Sequence, residues 1–265
     1  MKKRWIKICR QLSAEPGDFY ASARKILRNR TVTICDWKSD ITLEEIGYTN
    51  NKLNRLIKDY LHVESRDKAV ELWAHFVKRG SYASTCFTTH NHLVKSGATS
   101  PSETVETRGP CLQAVVITLI PGKKGKHEAI IDTYYRTTEI YKKFPADLLL
   151  LDVLLKPFDF SKVRIAERNF HFSGVTVHPM YCIVPIALTD DPVGFFEEIR
   201  KSDPVFYRNC VSWTSKYLIT SRGIKKFEQA KVVQRKAIAM LKKTGTLDEL
   251  TAYIQKAYDS LGFKG

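Results

Sequence analysis

The chain lacks any apolar run long enough to cross a bilayer. Its longest, AVVITLI from Ala114 and LLLL from Leu148, fall far short of the roughly 20 residues a spanning helix needs, so no membrane association is expected. The basic opening MKKRWIKICRQLS leads into no apolar stretch of about 7 to 15 residues with a small-residue cleavage site, as secretory signals do. A cytosolic location is expected. Cysteine is sparse and scattered over Cys9, Cys35, Cys86, Cys111, Cys182 and Cys210. A chain of 265 residues buries a core without disulfide staples, so these thiols are expected to be reduced. No CxxC pair occurs, and His178 with Cys182 lacks a matching second pair at zinc spacing; no metal site is expected. Internal repeats and low-complexity tracts are missing too, which excludes solenoids and disordered chains. Acidic residues are short: 28 Asp and Glu face 43 Lys and Arg, a formal +15. That field favours anionic partners, phosphorylated small molecules and nucleic acids alike, and is equally what a solvated basic surface would show.

What is present reads as mixed helix and strand. Pro16 to Leu27 has Tyr20, Ala23, Ile26 and Leu27 at helical spacing behind PGDF, and predicts a helix. RTVTICDW, rich in β-branched residues, predicts a strand. SRDKAVELWAHFVKRG predicts an amphipathic helix capped by Ser65 and stopped by Gly80, with strand-like STCFTTHNHLV after it. Residues 96 to 109, rich in Ser, Thr, Pro and Glu, should be a loop. CLQAVVITLI and HEAIIDTYY flank the turn residues of PGKKGK and predict a hairpin with a basic tip. KKFPADLLLLDVLLK predicts a helix, and NFHFSGVTVHPMYCIVPIAL returns to strand character. The expected architecture is α+β: one domain over 1–265, a mainly antiparallel mixed sheet flanked by helices, and a basic helical C-terminal extension over about 222–265.

Three segments together carry a resemblance. GPCLQAVVITLI places Cys111 directly after a proline at the head of a strand leading into a hairpin. RTTEIYKKFPAD sets Arg136, Thr137, Glu139, Pro145 and Asp147 in register with the pattern R-S-x-D-x-x-x-G-x-P-x-N, and LRNRTVT is similar to a D-R-T-G-T phosphate loop, with Arg30 at the phosphate-binding position. The pattern resembles the thymidylate synthase superfamily, which includes the deoxycytidylate hydroxymethylases. VELWAHFVKRG is similar to the family helix E-L-L-W-F-L-x-G and makes Glu71 the matching catalytic glutamate; VHPMY resembles the family's H-x-Y sugar-binding pair through His178 and Tyr181. By position, Lys78 and Arg79 match the paired arginines that reach the partner subunit's phosphate site in family dimers.

The resemblance spans about Arg30 to Tyr181 and departs in places. The stretch before Cys111 is shorter, the hairpin after it is longer, Lys143 replaces a glycine, and His178 and Tyr181 stand one residue too far apart. A bulge would absorb that extra residue, or one of the two is not a sugar ligand.

The resemblance implies a divergent one-carbon transferase that uses 5,10-methylene-tetrahydrofolate, acts on a pyrimidine nucleoside monophosphate and forms homodimers. Carbon 5 of a pyrimidine is a poor nucleophile until a thiolate adds at carbon 6, and covalent catalysis of this kind divides one hard step into easier ones. The thiol must ionise, which a neighbouring cation such as Arg136 or Arg108 would favour. Arg136, Arg30 and the Thr137 hydroxyl would hold the phosphate. Where the synthases have asparagine this chain has Asp147; a carboxyl holding a proton donates to N3 of cytosine and accepts from its 4-amino group, so the expected substrate is a cytidylate. Glu71 would serve as general acid or base through ordered water. Methylation of a uridylate is the close alternative. A nucleic-acid-binding protein that keeps the fold without the reaction is the distant one, suggested by PGKKGK and the basic stretches RGIKKF and KVVQRK.

Overall fold

A computed structural model describes residues 2–20, 24–35, 41–43, 48–89, 111–122, 126–182 and 191–218, with positions 185, 188, 189, 245, 248 and 252 besides. The expected C-terminal basic helices, the Ser/Thr-rich loop and the tip of the basic turn lie outside the described residues.

Six strands form one sheet: β1 (Asp18–Tyr20), β2 (Arg24–Ile34), β3 (Ala83–Thr88), β4 (Leu112–Ile120), β5 (His127–Glu139) and β6 (Val163–Val177), in the order β1-β2-β6-β5-β4-β3. Every neighbouring pair is antiparallel except β5 and β6, which run parallel. The mixed, mainly antiparallel sheet is as the sequence predicts, and so is the hairpin, which joins β4 to β5 with Ile120 opposite Glu128. Around the sheet stand α1 (Lys2–Ala14), α2 (Asn50–Tyr60), α3 (Val63–Arg79), α4 (Phe144–Leu155), a 3-10 turn over Pro179–Tyr181, α5 (Pro192–Ser202) and α6 (Pro204–Leu218).

The helix expected over Pro16 to Leu27 is a correction: the chain there makes β1 and the start of β2. Lys25 and Leu27 are buried while Arg24 and Arg28 are exposed, a period of two that is hard to read because a lysine occupies a core position. The predicted strand therefore begins earlier, at Arg24. In α3 the cap also differs. His62 Nδ1 accepts the Ser65 amide at 3.1 Å, and the Ser65 hydroxyl accepts the Thr88 amide instead, tying the helix to β3. Gly80 ends the helix as expected, at φ +63°, where a side chain would be strained.

α4 is apolar on nearly all sides, and its buried residues include Phe144, Leu148, Leu150, Leu151 and Leu154, the pattern of a helix sunk in a core. Phe144 meets the rings of Phe170 and Phe172 edge-on at 5.2 and 5.3 Å, which seats the helix on β6. In α1, Trp5, Cys9 and Leu12 share one buried face, and the Trp5 indole donates to the Ile140 carbonyl at 2.9 Å just before α4.

One feature of the sheet positions the site. Alternation of buried residues changes parity between Leu27 and Val32 in β2, between Phe172 and Val175 in β6, and between Tyr135 and Thr138 in β5. Register aligns these intervals, since Arg28 pairs with Gly174 and Gly174 with Thr137. The buried face thus changes over at the same level in all three strands. In β2 the changeover includes Asn29 at φ +50°, a left-handed conformation that asparagine tolerates better than most residues.

Candidate functional site

Beyond this changeover, the ends of β5 and β6 and the head of β4 enclose a cavity of about 150 Å³. Its lining is Arg24, Cys111, Thr137, Thr138, Glu139, Lys143, Thr176, His178 and Tyr181. Cys111 is half-buried, with its backbone held on both sides: its amide donates to the Tyr60 hydroxyl at 3.1 Å and its carbonyl accepts the Arg136 amide at 2.8 Å. Its sulfur lies 4.0 Å from the Thr137 hydroxyl.

Two buried carboxyls sit beside it. Burial pushes Glu139 up to about 7, although the amides of Tyr141, Lys142 and His178 donate to its oxygens at 3.2, 2.7 and 3.4 Å and oppose the rise. Burial likewise pushes Asp147 up to about 7, opposed by the Thr138 hydroxyl, which donates to its Oδ2 at 2.9 Å. Asp147 is not among the cavity-lining residues; it stands behind Thr138, which is. Burial, with Asp147, Glu139 and Tyr181 nearby, pushes the Tyr48 phenol up to about 12. The Tyr135 phenol is raised by burial and then by Asp147, Tyr60 and Cys111, and its buried oxygen has no hydrogen-bond partner among the described residues. These mutual effects place four tyrosines, two carboxyls and the thiol in one neighbourhood.

No protein-family model matches the chain, and no curated protein matches it in sequence. Among solved structures, thymidylate synthase from T4 phage aligns with 67% of this chain and 77% of its own, at 12% identity and a TM-score of 0.38. A likeness of that degree carries no argument about fold or chemistry.

Of the residues singled out in the sequence, Cys111, Thr137, His178 and Tyr181 are brought together at the cavity. The extra residue between His178 and Tyr181 is taken up by the 3-10 turn, in which the Tyr181 amide donates to the His178 carbonyl at 2.9 Å and the two rings approach to 5.2 Å. Desolvation, and then Arg24, lower the His178 pKa, which favours a neutral ring at pH 7.

Other expected residues fall elsewhere. Glu71 is exposed on α3: Ala69 and Trp73 face the core, and a residue two positions from each points to the opposite side of a helix. Lys78 and Arg79 are exposed in the last turn of α3, where cations suit the helix dipole, and do not line the cavity. Arg30 is committed to Glu15, its Nε donating at 2.6 Å, and to the Arg28 carbonyl at 2.7 Å. It lies six residues from Arg24, about 20 Å of extended strand. Arg136 belongs to the site through its backbone, while its exposed side chain is not part of the lining. Arg108 and the basic stretches that suggested nucleic acid lie outside the described residues.

Sequence reading missed Arg24, Thr138 and Tyr60, and noted Glu139 only as a register match and Lys143 only as a departure from the pattern. Glu139 and Lys143 were within sight, both inside the RTTEIYKKFPAD segment. Nothing in the local sequence marks Tyr60 or Arg24, because Arg24 reaches the cavity only through the pairing of β2 and Tyr60 reaches the Cys111 backbone only through the packing of α2.

Among the described residues no cluster of three His, Cys, Asp or Glu side chains could hold a metal, and no helix is long and apolar enough to cross a membrane.

Proposed function

We propose that this chain is a one-carbon transferase acting at carbon 5 of a pyrimidine nucleoside monophosphate, a cytidylate hydroxymethyltransferase with Cys111 as nucleophile. The observation that supports it most is a single cavity carrying the Cys111 thiol, two cations and a protonatable carboxyl, Glu139. The sulfur would bond to carbon 6, moving the ring π electrons to carbon 5. That carbon would bond to the one-carbon unit and lose its proton to a base; the carrier amine would leave to give an exocyclic methylene, water would add there, and the sulfur would depart as the 5,6 double bond re-forms.

Arg24 and Lys143 are the lysine and arginine side chains of the lining and suit the phosphate, with Thr137 adding a hydroxyl. His178 and Tyr181 would meet the sugar. Glu139, held near 7, is the acid-base group that the geometry favours over Glu71. Base choice would rest on Asp147 acting with Thr138. Because the Thr138 hydroxyl donates to Asp147, it turns lone pairs toward the cavity, an acceptor suited to the 4-amino group of cytosine and repelled by O4 of uracil.

The cavity is smaller than the roughly 300 to 1,000 Å³ of most small-molecule sites, so the described walls hold only part of a nucleotide. The described walls leave no residue for a folate: the orphaned Tyr135 hydroxyl is not part of the lining, and Glu139 already accepts three amides. When bound, methylene-tetrahydrofolate supplies a one-carbon unit at the oxidation level of formaldehyde. A homodimer is proposed too: the half-exposed sheet face carrying Asp132, Tyr134 and His171 would be the contact.

Tritium release from carbon 5 of CMP, dCMP, UMP and dUMP, with and without methylene-tetrahydrofolate, tests the reading. Release from a cytosine nucleotide, lost in Cys111→Ser, is expected. No exchange from any of the four, beside an active control enzyme, would overturn it.

A further inference from the structure

We propose that Tyr60 is the positioning residue for Cys111, its phenol oxygen holding the cysteine backbone and its O–H stabilising negative charge on the sulfur. This rests on the reading of Cys111 as the nucleophile. Tyr60 is the last residue of α2 and half-buried. Its oxygen accepts the Cys111 amide at 3.1 Å, which uses a lone pair and leaves the O–H as donor beside the same residue's thiol. Burial, followed by the Cys111 charge, raises the phenol far above its ordinary range, so at neutral pH it keeps its proton. A phenol in that state donates to an anion and does not compete with it for protons.

The surroundings leave this task to Tyr60. With its amide on Tyr60 and its carbonyl on the Arg136 amide, Cys111 has a fixed backbone and only its side-chain torsion left to set. Thr137 is at 4.0 Å, the outer limit for a bond to sulfur, and the exposed Arg136 side chain is not part of the cavity wall. An O–H donor stabilises a thiolate at short range without adding a charge that would also draw in the substrate phosphate. Arg24 and Lys143 are then left for that phosphate.

Alkylation by iodoacetamide, followed at each cysteine by peptide mass spectrometry across pH, measures the effect without any nucleotide. Exposed Cys86 is the internal reference. Tyr60→Phe is expected to move the Cys111 rate profile about one unit to higher pH, roughly tenfold slower at pH 7, and to leave Cys86 unchanged. Thr137→Val should move it less. Superimposable Cys111 profiles for wild type and Tyr60→Phe overturn the proposal. Should the Phe variant not fold, the wild-type protein decides: a Cys111 profile lying at no lower pH than that of Cys86 overturns it equally. Absent tritium exchange with a profile that does shift sinks the proposed reaction and leaves Tyr60 standing; the reverse result does the opposite.

Discussion

Two regions of this protein bury charge, and they do so in opposite ways. Lys25, fully buried on β2, gives its ammonium three partners: the carbonyls of Ser13 and Glu15 at 2.5 and 2.7 Å and the carboxylate of Asp203 at 2.8 Å, with the Phe206 ring 4.6 Å away. Three N–H donors meet three acceptors, joining α1, β2 and the junction of α5 and α6. Glu139 and Asp147 are buried too, yet neither makes a salt bridge among the described residues. Amides and a hydroxyl hold them, and burial leaves both near 7. A balanced buried charge ties a fold together; a buried carboxyl with no ion pair, offset only by the positive field of Lys143, stays ready to exchange a proton.

The largest expected effect separates the two regions outright. Cys111→Ser should lower carbon 5 exchange by at least about a thousandfold while the melting temperature barely moves, which confines chemistry to the carboxyl side. On the other side, Asp203→Asn strands a buried ammonium and should cost about 3–5 kcal/mol in denaturant unfolding, with exchange intact once the protein is folded. A loss near zero would erase the contrast.

Titration sharpens it further. Asp147 and Glu139 have ordinary values of 3.8 and 4.5 and sit at about 7 in the fold, so between those limits the folded chain holds more protons than the unfolded one. Stability from these groups is fully present below about 4, declines as pH rises toward 7, and above 7 the burial of charge carries its full cost. Asp147→Asn should remove its share of that decline, on the order of 3 kcal/mol, and shift substrate preference from cytosine toward uracil. Glu139→Gln should flatten the same window by a smaller amount, since three amide donors already support its charge; urea melts at pH 4.5 and 8 measure both. The smallest effect belongs to exposed Glu71, where Glu71→Gln should change stability by no more than about 0.5 kcal/mol and leave exchange within a fewfold.

Parts of this arrangement were legible in the residues. Turn chemistry and β-branched runs marked the β4–β5 hairpin, the apolar run marked α4, and Gly80 marked the end of α3. Cys111 after Pro110 and the RTTEIYKKFPAD segment pointed to one corner of the fold. Misreadings share a cause. The segment around Lys25 read as a helix because nothing local marks a lysine as buried: its partners are the backbone carbonyls of Ser13 and Glu15 and the distant Asp203. Glu71 matched a motif, but helical phase turns it outward; Arg30 matched a phosphate loop, but Glu15 already holds it.

Local order, the strand and helix content, and the presence of a thiol close to a strand head were determined by sequence alone, because periodicity and turn residues act over a few positions. Which cations and acids meet that thiol was decided by the tertiary structure. Strand register, with a changeover of the buried face shared by β2, β5 and β6, brings Arg24, Thr137 and His178 to one place, and the packing of α2 brings Tyr60. Burial then sets the protonation of Glu139 and Asp147, since the cost of a charge depends on the whole surrounding volume and on no single neighbour in the chain.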